Sequence, residues 1–421
     1  EQMAQHILLG RAAAIGPPFP QPVARAMLLI RLVNFLTGLD GVSSKLCCYL
    51  VDRLNDDFTP WIPSLGHGMA ADTTANSHAF QTLIGAGSVF GPDGERQTAR
   101  AALEQRGAAV LQLSDKEGIA LINGVCAAPA LAMHAFYQLD ELLSLANLVA
   151  AVSLEGLAAP KDSLDAGLGK LSSEPGVGKI ITAMRKHLNH SQVTAFKLQA
   201  PISYRVIPQV HGALFDALTL LRQKIENSLV DFSGNPVMLG ENLLSVGLFH
   251  NQHLVNQVEQ VALALAHLGA LSERRLHRLM NNEFTGLPAQ LASRPGLDAG
   301  LVVVHKASID LAARLRQQAQ PLSLFTAESS SGQEDYMSLA VPAILRLGDM
   351  AELVRAMLAY ELLAGIIAVR MRPQKAGDSV VTLLDYYQAS IASFDSDRSP
   401  GADVESILQG FDSETVKALL R

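Results

Sequence analysis

The polar side chains that stand out in this 421-residue chain sit in short breaks between apolar runs. In KEGIALINGV (116–125), Asn123 interrupts an otherwise hydrophobic stretch. In LQAPISYRVIPQVHG (198–212), Gln199, Arg205 and Gln209 lead into a helical pattern, and in SSSGQEDYMSL (329–339) Gln333, Glu334 and Asp335 do the same. A polar group carried into an apolar bundle must be hydrogen-bonded or have a functional task, so each reads as a helix cap, a buried network or a site residue. A fourth stretch, SLGHGMAADTTANSHAFQTLIGAG (64–87), is nearly all small residues and follows Trp61, the only tryptophan. It holds His67, whose imidazole titrates in the range suited to proton transfer near neutral pH.

Other chemistries are excluded by spacing. SEPGVGKI (173–180) resembles a phosphate loop, but Ser173 stands where the first glycine is required and Ile180 where Ser or Thr must follow Lys179, so it reads as a helix start. His187 and His190, like His250 and His253, lie three apart, yet neither pair has the Asp, Glu or Cys neighbours of a metal site; no metal is expected. There is no Gly-x-Ser-x-Gly elbow and no dinucleotide fingerprint. A net charge of -7 argues against nucleic acid. Three cysteines give no disulfide framework, which fits a reducing cytoplasm, with Cys47 and Cys48 read as buried helix residues. In 351–373, Glu352, Arg355, Glu361 and Arg370 break what would otherwise be a membrane span, so a buried helix is expected and no membrane partner.

The elements that must hold these groups are helices. Leu254, Val258, Val261, Leu265 and Leu268 recur at spacings of four and three and form one apolar stripe. The segments 134–158, 206–229, 301–318 and the run after Met337 read as further long helices. The best strand candidate is 107–118. Hydrophobic residues make up 49% and charged ones 17%, as in a compact globular chain. The expectation is a mainly α protein, a long-helix bundle over 126–421 with a smaller mixed N-terminal region over 1–125. The stripe from Leu254 to Leu268 exceeds the needs of one modest bundle and predicts association.

Taken together, RAMLLIRLVNFLTGLDGV (25–42), KEGIALINGV, PQVHGALFDAL (208–218), LSERRLHRLMN (271–281), TGLPAQL (285–291) and GQEDYMSL (332–339) resemble, in order, the blocks of the aromatic amino-acid lyase superfamily, the histidine and phenylalanine ammonia-lyases and related aminomutases. The resemblance implies a mostly helical homotetramer with active sites shared among subunits. It implies that Arg205 pairs with a substrate carboxylate, a role that a planar guanidinium suits. Asn123 and Glu334 would assist in binding and proton handling, with Gln199, Gln333, Phe249 and His250 around the substrate. Arg11 stands where the family's SHAxGxG block has histidine.

The small-residue stretch aligns with the family's GSxGASGDLAPL motif, whose Ala-Ser-Gly cyclises to a methylidene-imidazolone. Aligned through His78 and LIGAG (83–87), Asp72 matches the motif's aspartate and the triplet falls on Met69, Ala70 and Ala71. Without a serine hydroxyl to eliminate, the prosthetic group is expected to be absent. The block QDxYSLR reads QAPISYR here, with Ala200 for the aspartate and Ile202 for the tyrosine; GNFHG reads GLFHN. The family's tyrosine-bearing loop falls upstream of Glu1. The reading is a cytoplasmic enzyme that kept the pocket and works by acid–base chemistry, through His67, Glu334 and Asn123, on a small-molecule carboxylate. A non-catalytic scaffold tetramer and an ordinary ammonia-lyase are the alternatives.

Overall fold

The computed structural model describes residues 2–114 and 116–421. Helices dominate. The long ones are α1 (Gln21–Phe35), α2 (Ala127–Leu157), α3 (Ile207–Val230), α4 (Gln252–Leu279), α5 (Val302–Gln318) and α6 (Ala340–Arg370). Pro20 precedes α1 as its N-cap and Pro22 lies inside the first turn, where a missing N–H costs nothing. α2 and α6 are apolar over most of their surface and correspondingly buried, with exposed polar residues only at positions such as Gln138, Glu141, Asp349 and Glu352. Residues 351–370 of the 351–373 segment lie in α6, with Glu361 wholly enclosed.

Among the described residues, strands are confined to three antiparallel ribbons: β1 (Ile15–Pro18) with β2 (Pro63–Leu65), β3 (Ser88–Phe90) with β4 (Arg96–Thr98), and β5 (Val237–Leu239) with β6 (Asn242–Leu244). The strand expected over 107–118 is corrected. None of its described residues is in a strand, and Asp115 lies outside the described residues. The Leu111 amide donates to Leu83 O, and Tyr49 Oη donates to Ala109 O, contacts that tie the segment down without a ladder. Alternation alone does not make a strand when no partner edge runs beside it.

The chain forms two compact units. One comprises 1–136, 221–259 and 321–346; the other comprises 137–220, 260–320 and 347–421. The division falls inside α2, α3, α4 and α6. Leu254, Val258, Val261, Leu265 and Leu268 are all buried within the single chain. This stripe is thus used up by the fold itself, and association cannot rest on it. Cys48 is exposed and Cys47 half-buried, against the expected burial; only Cys126 is enclosed.

The second unit is organised around an enclosed ion pair. Arg275 on α4 meets Glu361 on α6 through two bonds, Nε to Oε1 at 2.6 Å and Nη2 to Oε2 at 2.8 Å, and both side chains are 0% exposed. Ser153 and Ser272 donate to the same carboxylate at 2.5 and 2.6 Å. The remaining Arg275 nitrogen, Nη1, reaches His211 Nε2 at 3.3 Å, and His211 Nδ1 donates to Asn147 at 2.8 Å. Burial and then the neighbouring Arg275 hold His211 well below its usual pKa, so it is neutral and accepts from the guanidinium. α2 and α6 approach closely here. A Cβ on Gly365 would meet Val152 Cγ1 at 2.9 Å, and one on Gly156 would meet Ala368 Cβ at 2.9 Å.

Breaking such a pair leaves a charge enclosed without compensation, at a cost of about 3–5 kcal/mol. Glu361→Gln is therefore expected to lower unfolding free energy by roughly that amount in a guanidinium titration. The paired change Arg275→Met with Glu361→Leu should cost less than Glu361→Gln alone; equal losses would contradict this account.

Candidate functional site

In the first unit, the loop 67–72 is held on four sides. His67 Nε2 donates to Pro63 O at 2.8 Å and the ring lies 5.3 Å from Phe19, between centroids. Its Nδ1 is buried without a hydrogen-bond partner. Burial lowers the His67 pKa, so the ring is neutral with one open lone pair. Ala70 and Ala71 are buried, and Ala70 O accepts from Ser338 Oγ at 3.2 Å.

Asp72 closes the loop at the head of α2. Its Oδ2 accepts from the Ala128 amide at 2.8 Å, satisfying one of the donors that a helix start leaves free. Burial nonetheless raises its pKa to about 6. Asn251 Nδ2 stands 3.5 Å from Oδ1. Asn76 Nδ2 donates to Ile122 O and Gly124 O, both at 3.0 Å, and its own Oδ1 accepts from Cys126 Sγ at 2.9 Å. The loop, the 122–128 turn and Asn251 are thereby knitted together.

Asn123 ends the short helix Glu117–Ile122, and its Nδ2 donates to Asn235 O at 2.9 Å. Beneath it lies Arg31, fully buried, whose Nη2 donates to Asn123 O at 2.7 Å and to Ala120 O. Gly124 has φ +152, and a Cβ there would meet Arg31 Nη1 at 2.5 Å, so only glycine fits over the guanidinium. A cleft of about 630 Å³ opens beside this turn, lined by Val125, Ser233, His250, Asn251 and His253 among others. His250 Nε2 is buried and unpartnered, and its ring lies 5.8 Å from Tyr336. Phe249 is half-buried.

Glu334 is half-buried and Gln333 exposed, after a tight turn in which Ser330 and Ser331 have φ of 53 and 57. Ser330 Oγ lies 3.4 Å from Glu334 Oε1. Segments 67–72, 123–125, 249–251 and 334–338 thus converge in one unit. Arg11 is set apart, its Nη1 donating to Ile7 O at 3.2 Å in a cleft with Gln2, Met3 and His6. Gln199 and Arg205 belong to the second unit. They share a cleft of about 440 Å³ with Asp162, Ser163, Leu168 and Gln209 among others, and Arg205 Nη1 lies 3.4 Å from Gln199 Oε1. The start of the helix Pro175–His187 is filled by Asp216, which accepts from the Gly176 amide at 2.9 Å, as befits a helix start with no phosphate. Sequence reasoning missed Asn251, Ser338 and Arg31. For Arg31 the signal was present: a cation on the apolar face of RAMLLIRLVNF.

Long buried helices framing a small-residue loop, an asparagine turn and a Gln-Glu-Asp turn define a lyase-type helical fold. The chain belongs to the aromatic amino acid lyase family, whose model matches residues 1–389. It is 31% identical to the histidine ammonia-lyase of Myxococcus xanthus (strain DK1622), covering 100% of this chain and 84% of that protein. It is also 31% identical to the histidine ammonia-lyase of Stigmatella aurantiaca, over 98% of this chain and 82% of that one. Among solved structures, tyrosine aminomutase from Streptomyces globisporus superposes with a TM-score of 0.90 at 26% identity, covering 100% and 84% of the two chains. The ergothioneine degrading enzyme ergothionase from Treponema denticola, in complex with desmethyl-ergothioneine sulfonic acid, superposes with a TM-score of 0.94 at 24% identity, covering 99% and 84%.

Two groups near the loop give opposed pH responses. His78 Nε2 accepts from the Ala14 amide, and burial lowers its pKa from 6.5 to about 4. Between these values the folded chain holds fewer protons at His78 than the unfolded one, so stability falls as pH drops through the window. Asp72, raised from 3.8 to about 6, gains a proton in the folded state over the same range and works the other way. His78→Gln is expected to lessen acid destabilisation between pH 6.5 and 4, and Asp72→Asn to steepen it, in denaturant titrations at stepped pH. The reverse ordering would refute these assignments.

Proposed function

We propose that this protein is a lyase-family enzyme that works without the methylidene-imidazolone. Residues 69–71 do not fit that group: they are Met-Ala-Ala, and no Ala-Ser-Gly occurs anywhere in the chain. In its place stands a general base. His67, neutral and with its buried Nδ1 left without a hydrogen-bond partner beside the loop, is the observation that carries the reading. The reaction is a carbon–nitrogen elimination or its reverse on an amino-acid-like or unsaturated carboxylate. The base takes a proton from carbon, the C–H electrons form the alkene, and the C–N pair leaves with the amine. Without an electrophile to activate the amine, the proton removed must itself be acidic. Glu334 carries a proton at the same step, and the carboxylate anchor is Arg205 supplied by another copy of the chain, in the shared active site that the family resemblance implies, through two parallel donors.

Two observations favour other readings. The relatives are named histidine ammonia-lyases, which favours ordinary release of ammonia from an amino acid. Asn123 already donates its amide to Asn235 O, which suits a structural role and a binding or scaffold protein. Exposed apolar side chains at Leu220, Leu263, Val303 and Ile309 support assembly into a homotetramer. A stable monomer in light scattering at micromolar concentration would overturn that assembly.

Intact mass is expected to match the unmodified sequence, with no deamination of histidine, phenylalanine or tyrosine. A loss of two waters, together with near-ultraviolet absorbance, would overturn the proposal. A panel of amino acids and unsaturated acids, screened by thermal shift, identifies the ligand. With it, Arg205→Lys should weaken binding about tenfold or more while keeping the charge. Glu334→Gln and His67→Ala should each lower turnover by about a hundredfold or more with little change in affinity. If neither lowers turnover and Arg205→Lys merely unfolds the chain, the scaffold reading replaces this one.

A further inference from the structure

Arg205 depends on its backbone for its place in the cleft, because among the described residues its guanidinium has only the long contact to Gln199 Oε1. That backbone is a single four-residue turn, Ile202–Arg205, between Pro201 and Val206, both outside helical geometry. Three bonds close it: the Tyr204 and Arg205 amides donate to Pro201 O at 3.0 and 3.4 Å, and the Val206 amide donates to Ile202 O at 3.0 Å. So short a helix has no cooperativity of its own to fix its direction. Ile202 is 59% exposed, and the one buried side chain in the turn is Tyr204, at 1%. Its hydroxyl donates to Arg275 O at 2.9 Å. Arg275 is the residue whose guanidinium is locked on Glu361 and His211, so the acceptor belongs to the most constrained part of that unit.

We propose that Tyr204 is a positioning residue for ligand recognition: its buried hydroxyl, held on Arg275 O, sets the orientation of the 202–205 turn and hence where the Arg205 guanidinium stands. A bidentate pair is directional, so an error in that orientation weakens carboxylate recognition without touching the charge. The QDxYSLR block that this stretch resembles has leucine where Tyr204 stands. The proposal rests on the reading of Arg205 as the carboxylate anchor.

Tyr204→Phe removes only the hydroxyl and keeps the ring in its enclosed place. Hydrogen exchange at the Tyr204, Arg205 and Val206 amides is expected to quicken roughly five- to tenfold, as for loss of one buried hydrogen bond, while the amides of α4 and α6 keep their protection. Binding of trans-cinnamate is expected to weaken by a similar factor and binding of uncharged cinnamamide to stay unchanged, a split that a purely structural defect does not produce. Arg205→Lys should lose the same cinnamate selectivity with normal exchange in the turn. Failure of Arg205→Lys to do so sinks the anchor reading and this proposal with it; its success beside an unaltered Tyr204→Phe sinks only the positioning role. Should cinnamate bind neither protein, exchange decides: unchanged protection in the turn, or protection lost across α4 and α6 alike, overturns the proposal. Tyr204→Leu supplies a second variant, expected to match Tyr204→Phe in the turn.

Discussion

The ion pair between Arg275 and Glu361 is the constraint on which the second unit depends. Two charges enclosed in an apolar interior repay their lost hydration only when every donor and acceptor is placed. Here each carboxylate oxygen has a guanidinium bond and a serine, and the third guanidinium nitrogen, Nη1, meets a neutral imidazole. The partners come from α2, α3, α4 and α6, so the requirement to satisfy one guanidinium fixes four helices along their axes. Apolar contacts alone would tolerate a slip between smooth helix faces; this cluster tolerates none. The close approach at Gly156 and Gly365 belongs to the same design, since the polar atoms of α2 and α6 can meet only if the backbones come together.

The first unit uses a carboxylate differently. Asp72 stands at the head of α2, where backbone donors point outward, and it serves the helix whatever the residues before it do. That separates support from chemistry. The loop 67–72 keeps its position through Asp72, Ser338 and His67, none of which depends on the side chains of residues 69–71. A change of reaction at those positions leaves the surrounding framework standing.

Much of the fold was legible in the sequence because helices announce themselves by period. The stripe from Leu254 to Leu268 placed α4, and the apolar run around Glu361 placed α6. The same stripe is no argument for association, because the chain itself buries it; period reports that a face is buried and not what buries it. The strand expected at 107–118 failed for a related reason: alternation is local, whereas a strand requires a distant partner. Of the candidate residues, Asn123 stood out as a polar residue within an apolar run, and Arg205 and Glu334 as polar residues just ahead of helices; Asn123 and Glu334 fall in the first unit and Arg205 in the second. Arg31 and Asn251 escaped because their importance lies in contacts across the chain, to the carbonyl of Asn123 and to Asp72. His67 was legible as a candidate base beside the small-residue loop, but its buried, unpartnered Nδ1 was not, because a sequence does not print burial.

Each compact unit is assembled from three separated stretches, and this has a consequence for synthesis on the ribosome. Residues 1–136 acquire the last of their partners only when 321–346 emerge, roughly 185 residues later. At translation rates of about 5–20 residues per second, that interval is about 10–40 s. Through it, the nascent N-terminal region carries Phe19, Met27, Phe58 and Phe80 toward a core that is still incomplete. The chain therefore completes its folding late and favours escort by chaperones that shield apolar surface during elongation. Slowing translation ahead of residue 321 lengthens that exposure, and codon choice in the middle of the gene becomes a determinant of yield.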